Sequence, residues 1–213
     1  MGNKKSKFKK LILATHNDGK IKEFENLLSN FQISIFNLSK LNILNEPVEN
    51  GNSFSENAQI KMNFYLSEVK KLKEFITEET YLLSEDSGIE VDFLNGEPGI
   101  RSARYGGNLS TTERNQLILD KLKGVEDKRN ARYVSCIKLI NIFDQSQYEF
   151  VGHFTGTISH KMYKGRGFGY DPIFIPLGYN ETVSKLGDDV KNEISHRAIA
   201  TKKMIKKVFS DER

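Results

Sequence analysis

Glu85-Asp86-Ser87-Gly88 sets two adjacent carboxylates, a hydroxyl and a glycine directly behind the apolar run Tyr81-Leu82-Leu83-Ser84. Two neighbouring acids at a strand end are costly unless a cation accompanies them. Carboxylates with few neutralising partners suit a hard ion such as Mg²⁺, which takes oxygen ligands and keeps several waters. A solvated acidic turn is the plain alternative. Near the start of the chain, Thr15-His16-Asn17-Asp18-Gly19-Lys20 joins a short apolar run to a helical pattern. A strand end that meets a helix N-terminus presents free N–H groups and the positive end of the helix dipole to an anion. Thr15 and Asn17 add hydrogen bonds there and Lys20 adds a charge. The Walker A spacing is absent, and a simple strand–turn–helix link with an exposed lysine remains the alternative.

Three further segments carry side chains of use to a nucleotide. Glu56-Asn57-Ala58-Gln59-Ile60-Lys61 follows Glu49 in Val48-Glu49-Asn50-Gly51. Here Glu56 is accounted for as a capping residue, and Lys61 reads equally as an exposed helical lysine. Gly165-Arg166-Gly167-Phe168-Gly169-Tyr170-Asp171-Pro172 has glycines that allow close approach to a flat ligand, and Phe168 and Tyr170 that could stack on a base. A dinucleotide site would need a helix next, whereas a strand pattern follows, and an irregular turn packing its aromatics is the alternative. Lys191 and Ser195-His196-Arg197 could donate to a 6-keto purine edge, although each alone reads as a surface residue.

The elements that must position these groups alternate strand and helix. Leu11–Thr15 reads as a buried strand, and Ile21, Phe24, Leu28 and Phe31 line one face of the helix behind it. Ile33–Phe36 returns as a strand. Ser53 and Glu56 predict a capping box for a helix running to about Phe75. Tyr81–Ser84 is a strand, Glu85–Gly88 a turn, and Ile89–Phe93 a second strand. Thr111–Lys123 predicts a helix, Arg132–Phe143 and Tyr148–Ile158 a long hairpin, Ile173–Ile175 a short strand, and Glu193–Phe209 one last helix. The pattern is a mixed α/β fold with a long curved sheet and two lobes around a cleft.

The 213 residues fit one generous domain, and the single cysteine, Cys136, excludes an internal disulfide framework. Cys136 lies in a strand pattern and reads as a small buried hydrophobe. No apolar run approaches the ~20 residues of a membrane span, and no secretory leader pattern is visible, which points to the cytoplasm. A net charge of +4 does not demand a nucleic-acid partner. Residues 1–10 form a lysine-rich extension, expected to be disordered, ahead of a single domain over 11–209. Met1–Ser6 fits the myristoylation pattern, yet a plain basic extension is the favoured reading, so no membrane partner is expected.

Taken in order, the motifs resemble the inosine triphosphate pyrophosphatase family, in its bacterial-type branch. They are Thr15-x-Asn17-x-x-Lys20, Phe54-x-Glu56-Asn57-Ala58-x-x-Lys61, Glu85-Asp86-Ser87-Gly88, Pro98-Gly99-Ile100-x-Ser102-Ala103-Arg104-Tyr105, Phe168-Gly169-Tyr170-Asp171-Pro172 and Ser195-His196-Arg197. The resemblance covers roughly Leu11 to Val208. It implies a Mg²⁺-dependent homodimer that hydrolyses ITP, dITP or XTP to the monophosphate and pyrophosphate. Thr15, Asn17, Lys20, Lys61 and Ser87 would hold phosphates. Asp86 would act as general base, with Glu49, Glu85 and Asp86 near the metal. Phe168 would stack on the base, with Gly169 and Tyr170 in its loop, and Asp171, Lys191, His196 and Arg197 would line the base site. Two departures stand out: His16 replaces a small residue, and Glu85-Asp86 replaces an Asp pair. The segment from about Leu66 to Thr80 is longer and more charged than the family's usual form. Two other readings are the septum-inhibitor-related pyrophosphatases and a non-catalytic nucleotide-binding module. Ser195–Arg197 and Phe168–Asp171 count against the first. The second must explain carboxylates that would repel phosphate without a metal.

Overall fold

The computed structural model describes residues 9–209. The myristoylation-like segment Met1–Ser6 lies outside the described residues. The elements run β1 (Lys9–Leu13), α1 (Asp18–Leu28), β2 (Ile33–Asn37), α2 (Phe54–Val69), β3 (Thr80–Val91) and α3 (Thr111–Lys121). They continue as β4 (Asn130–Asn141), β5 (Gln147–Ile158), β6 (Phe174–Pro176), α4 (Val183–Leu186), α5 (Asp188–Ile194) and α6 (His196–Val208). The described strands form one mixed six-stranded sheet in the order β2-β1-β3-β4-β5-β6. Lys9 and Lys10, expected in the basic extension, are the first residues of β1, where they pair with Ile33 and Ser34.

The chain divides into two compact units. Of the described residues, the first holds 9–86, Cys136–Phe150 and 201–209. Its core gathers Ile12, Leu38, Met62, Tyr65, Val69, Leu82 and Ile140. In this unit β1 lies between β2 and β3 and is parallel to both. The order β2-β1-β3 reverses direction at β1, and an open α/β sheet binds ligands at such a reversal, outside the carboxyl ends of its strands. β1 stops at Leu13, level with Leu83, while β3 runs on through Glu85 and Asp86.

The second unit holds Ser87–Ser135 and Val151–Ala200. Its core packs Ile89, Val91, Ile118, Leu122, Tyr133, Phe154, Ile173 and Phe174. Helix α3 opens with a reciprocal capping box, in which Ser110 accepts from Glu113 N–H and Glu113 accepts from Ser110 N–H.

Three sequence expectations need correction. Glu85–Gly88 is not a turn, because β3 runs unbroken from Thr80 to Val91. β4 continues beside β3 past the end of β1, so this stretch stays extended within the sheet. Helix α2 ends at Val69, short of Phe75. The chain leaves the helix there and forms a 3₁₀ turn at Lys73–Phe75, so that Leu72, Phe75 and Ile76 pack onto the first unit's core. The last helix is two helices. Ser195 is extended at φ −69°, ψ 160°, and its hydroxyl accepts from Ala198 N–H, which starts α6 afresh at His196.

Candidate active site

In the first unit, Asn17 caps α1 by accepting from Lys20 N–H at 3.0 Å, and its own N–H donates to the Thr15 hydroxyl at 3.1 Å. The loop after β1 is thereby shaped around an open helix start, the geometry that favours a phosphate. Lys20 reaches from α1 to Glu85, with Nζ 2.7 Å from Oε2. Lys61 reaches from α2 to Asp86 and Glu49, at 3.2 Å in each case. Adjacent residues of a strand project to opposite faces, and the two carboxylates accordingly meet different helices. Glu85 is 2% exposed and Asp86 6%. Buried carboxylates persist as charges only with cationic partners, and each of these has one.

Burial alone would lower the pKa of the Lys61 ammonium, but the charges of Asp86, Glu49 and Glu85 outweigh it and raise the value above that of an ordinary lysine. Lys61 therefore stays cationic at neutral pH. Its ion pairs are fully present below the ordinary lysine range and are lost only as pH rises through the raised value. These ion pairs set three carboxylates, Glu49, Glu85 and Asp86, against Lys20 and Lys61. Among the described residues, Glu49, Glu85 and Asp86 are not drawn into a three-ligand metal group. Lysine ammoniums meet them, and Lys61 bridges Glu49 and Asp86.

The second unit holds the residues expected around a base. Asp171 is buried, and its Oδ2 accepts from Lys191 Nζ at 2.6 Å and from Phe168 N–H at 2.9 Å. The Tyr133 hydroxyl donates to its Oδ1 at 3.4 Å. The Lys191 ammonium also lies over the Phe168 ring, 4.4 Å from its centre. Phe168 remains 36% exposed. Gly167 makes this turn possible: it sits at φ +104°, and a Cβ there would come within 2.3 Å of Asp171 Oδ2. Asn115 of α3 donates to the Gly169 carbonyl at 2.9 Å, and the Tyr170 hydroxyl donates to the Ser102 carbonyl at 2.8 Å. His196 is stacked on Tyr133 with ring centres 4.8 Å apart. Arg197 is 1% exposed and gives Nη2 to the Ser87 hydroxyl at 3.0 Å.

The expected site residues thus gather within each unit. Thr15, Asn17, Lys20, Glu49, Lys61, Glu85 and Asp86 belong to the first, and Ser87, Phe168, Gly169, Tyr170, Asp171, Lys191, His196 and Arg197 to the second. Sequence reasoning assigned no role to Asn57, Asn115 or Tyr133. Asn57 stood within a quoted motif, whereas Tyr133 looked like any inward residue of a strand. Cys136 lies outside the cluster, and burial together with the Glu149 charge pushes its thiol up to about 11, so it is protonated at neutral pH and no nucleophile.

A sheet that reverses its order above a helix start, with buried acids held by lysines, marks an α/β protein of the phosphate-handling class. The Ham1 family pattern matches residues 11–207, and the chain belongs to that family. It is 36% identical over 199 residues to a dITP/XTP pyrophosphatase of Bacillus subtilis, covering 93% of this chain and 96% of that one. It is 39% identical over 203 residues to a dITP/XTP pyrophosphatase of Aliarcobacter butzleri, covering 92% and 96%. Among solved structures, the Ham1 protein of Staphylococcus aureus superposes with a TM-score of 0.79 at 32% identity, covering 96% of this chain and all of that one.

Proposed function

We propose that this protein hydrolyses non-canonical purine nucleoside triphosphates (ITP, dITP, XTP) to the monophosphate and pyrophosphate. The observation that carries the reading is the buried pair Glu85-Asp86, on β3 just past the end of β1 and engaged by Lys20 and Lys61. Buried carboxylates held by lysines suit a hard cation and an attacking water better than they suit passive binding of an anion. The dITP/XTP pyrophosphatase relatives support the same activity.

The residues divide the work. Thr15, Asn17 and the α1 N-terminus cradle phosphate oxygens, and Lys20 and Lys61 move between carboxylate and phosphate as charge arrives. Ser87 adds a hydroxyl. Asp86 accepts a proton from the water that attacks the α-phosphorus, and pyrophosphate leaves. Phe168 stacks on the base. Asp171, Lys191, His196 and Arg197 present its polar edge with partners.

The carboxylates fit a hard divalent ion. A triphosphate brings further negative charge beside these carboxylates, and Mg²⁺ is bound by one or two carboxylates together with phosphate and water oxygens. Glu49, Glu85 and Asp86 would hold it, and once bound it neutralises phosphate charge. The protein acts in the cytoplasm with no nucleic-acid or membrane partner. Among the described residues no helix is long and apolar enough to cross a membrane.

The test is a panel of ITP, dITP, XTP and ATP, with pyrophosphate and orthophosphate measured separately. The 6-oxo substrates should release pyrophosphate, with ATP slower by about tenfold or more. Equal rates on ATP, or orthophosphate alone, would overturn the proposal. The protein is further proposed to be a homodimer, as the family resemblance implies; Leu44, Val48 and Phe143 of the first unit are exposed apolar side chains that a second copy could cover. Light scattering should give about twice the 24.4 kDa chain mass, and a monomer at micromolar concentration would contradict this.

A further inference from the structure

Asn57 is fully buried near the start of α2, yet it is neither a capping residue nor part of the apolar core. Its amide makes two directed contacts. Oδ1 accepts from the Gly51 N–H at 2.9 Å, and Nδ2 donates to Asp86 Oδ2 at 3.1 Å. These neighbours settle which end of the amide is which, since an N–H must face its oxygen and a carboxylate must face its nitrogen. Asp86 Oδ1 is taken by Lys61 at 3.2 Å. Each carboxylate oxygen is therefore engaged by one donor, from two positions on one helix, which fixes the plane of the group and leaves each oxygen further lone-pair capacity.

The backbone at Gly51 is shaped for this contact. A Cβ there would fall 2.8 Å from Asn57 Oδ1 and 2.8 Å from Glu56 Cβ, so only glycine brings its N–H this close. Helix α2 is also tied to β3 at the same level, where the Ser84 hydroxyl donates to the Ala58 carbonyl at 2.7 Å. The contacts running from half-buried Gly51 through buried Asn57 to Asp86 form a continuous support.

We propose that Asn57, clamped by the Gly51 N–H, is the positioning residue of hydrolysis: it holds the Asp86 carboxylate at the angle from which it accepts the proton of the attacking water. The inference rests on Asp86 as the base. Outer partners that orient a reacting group have their effect on turnover more than on substrate binding.

Asn57→Asp separates this role from simple packing. It keeps the shape and the acceptor for Gly51 N–H, but puts a like charge where the donor to Asp86 stood. With ITP, kcat should fall by roughly 10–100-fold while KM stays within about threefold. Gly51→Ala leaves the reacting groups chemically intact and displaces the amide, so it should lower kcat in the same sense. Should Asn57→Asp fail to fold by circular dichroism, Gly51→Ala decides alone. Asp86→Asn is run beside them and should lose about 10²-fold or more in kcat. An Asn57→Asp enzyme with wild-type kcat, beside an inactive Asp86→Asn, would show that Asn57 only ties the loop to the helix. An active Asp86→Asn would remove the base assignment itself and this inference with it.

Discussion

Asp86 and Arg197 owe their places to opposite pressures. Asp86 is a buried charge made tolerable by Lys61 and Asn57, and its acceptor capacity is what the proposed hydrolysis needs. Arg197 is almost completely enclosed and already serves Ser87 through one N–H. A guanidinium carries five donors in a planar fork, which suits it to an acceptor on a base edge. Inosine and xanthine carry a 6-oxo acceptor where adenine carries a donor. A donor facing a donor leaves buried groups unpaired, at about 1–3 kcal/mol each, enough for tenfold to a hundredfold discrimination. Guanine shares the 6-oxo group, so Lys191 and Arg197 do not by themselves reject GTP. Arg197→Ala should narrow the ratio of kcat/KM for ITP over ATP and change the ratio for ITP over GTP less. If ITP and ATP slow by one common factor, the guanidinium holds phosphate or structure and does not read the base.

Among the elements, the helix starts were the most legible in the sequence. Ser53 accepts from Glu56 N–H as its spacing implied, although Glu56 turns to Asn52 N–H and leaves the capping box open. The β3 strand was harder to read, because acids and a glycine in mid-sequence imitate a turn. Only its place in the sheet beside β4 reveals that the backbone stays extended there. The break at Ser195 was also hidden, since apolar spacing continues across it while a single hydroxyl restarts the helix. The glycine-rich loop was legible as a site for close approach, but not its reason. Gly167 leaves space for Asp171 Oδ2, which Lys191 and the Phe168 N–H then hold. Gly167→Ala would force Asp171 aside at a left-handed φ and unseat Phe168. It should raise KM for ITP by roughly tenfold, equivalent to ~1.4 kcal/mol, with kcat changed less. An unchanged KM would dissociate this loop from the base.

For the whole molecule, family and chemistry were readable from six short motifs in order, and the strand order was not. Sequence spacing places Thr15–Lys20 far from Glu85 and Asp86; the parallel pairing of β1 with β3 makes them neighbours. The central claim is that water, held by Asp86, attacks the α-phosphorus and expels pyrophosphate. Hydrolysis of ITP in ¹⁸O-labelled water, with both products read by mass spectrometry, tests it directly. One ¹⁸O atom in the IMP and none in the pyrophosphate is the predicted result; label in the pyrophosphate would place the attack on the β-phosphorus and contradict it.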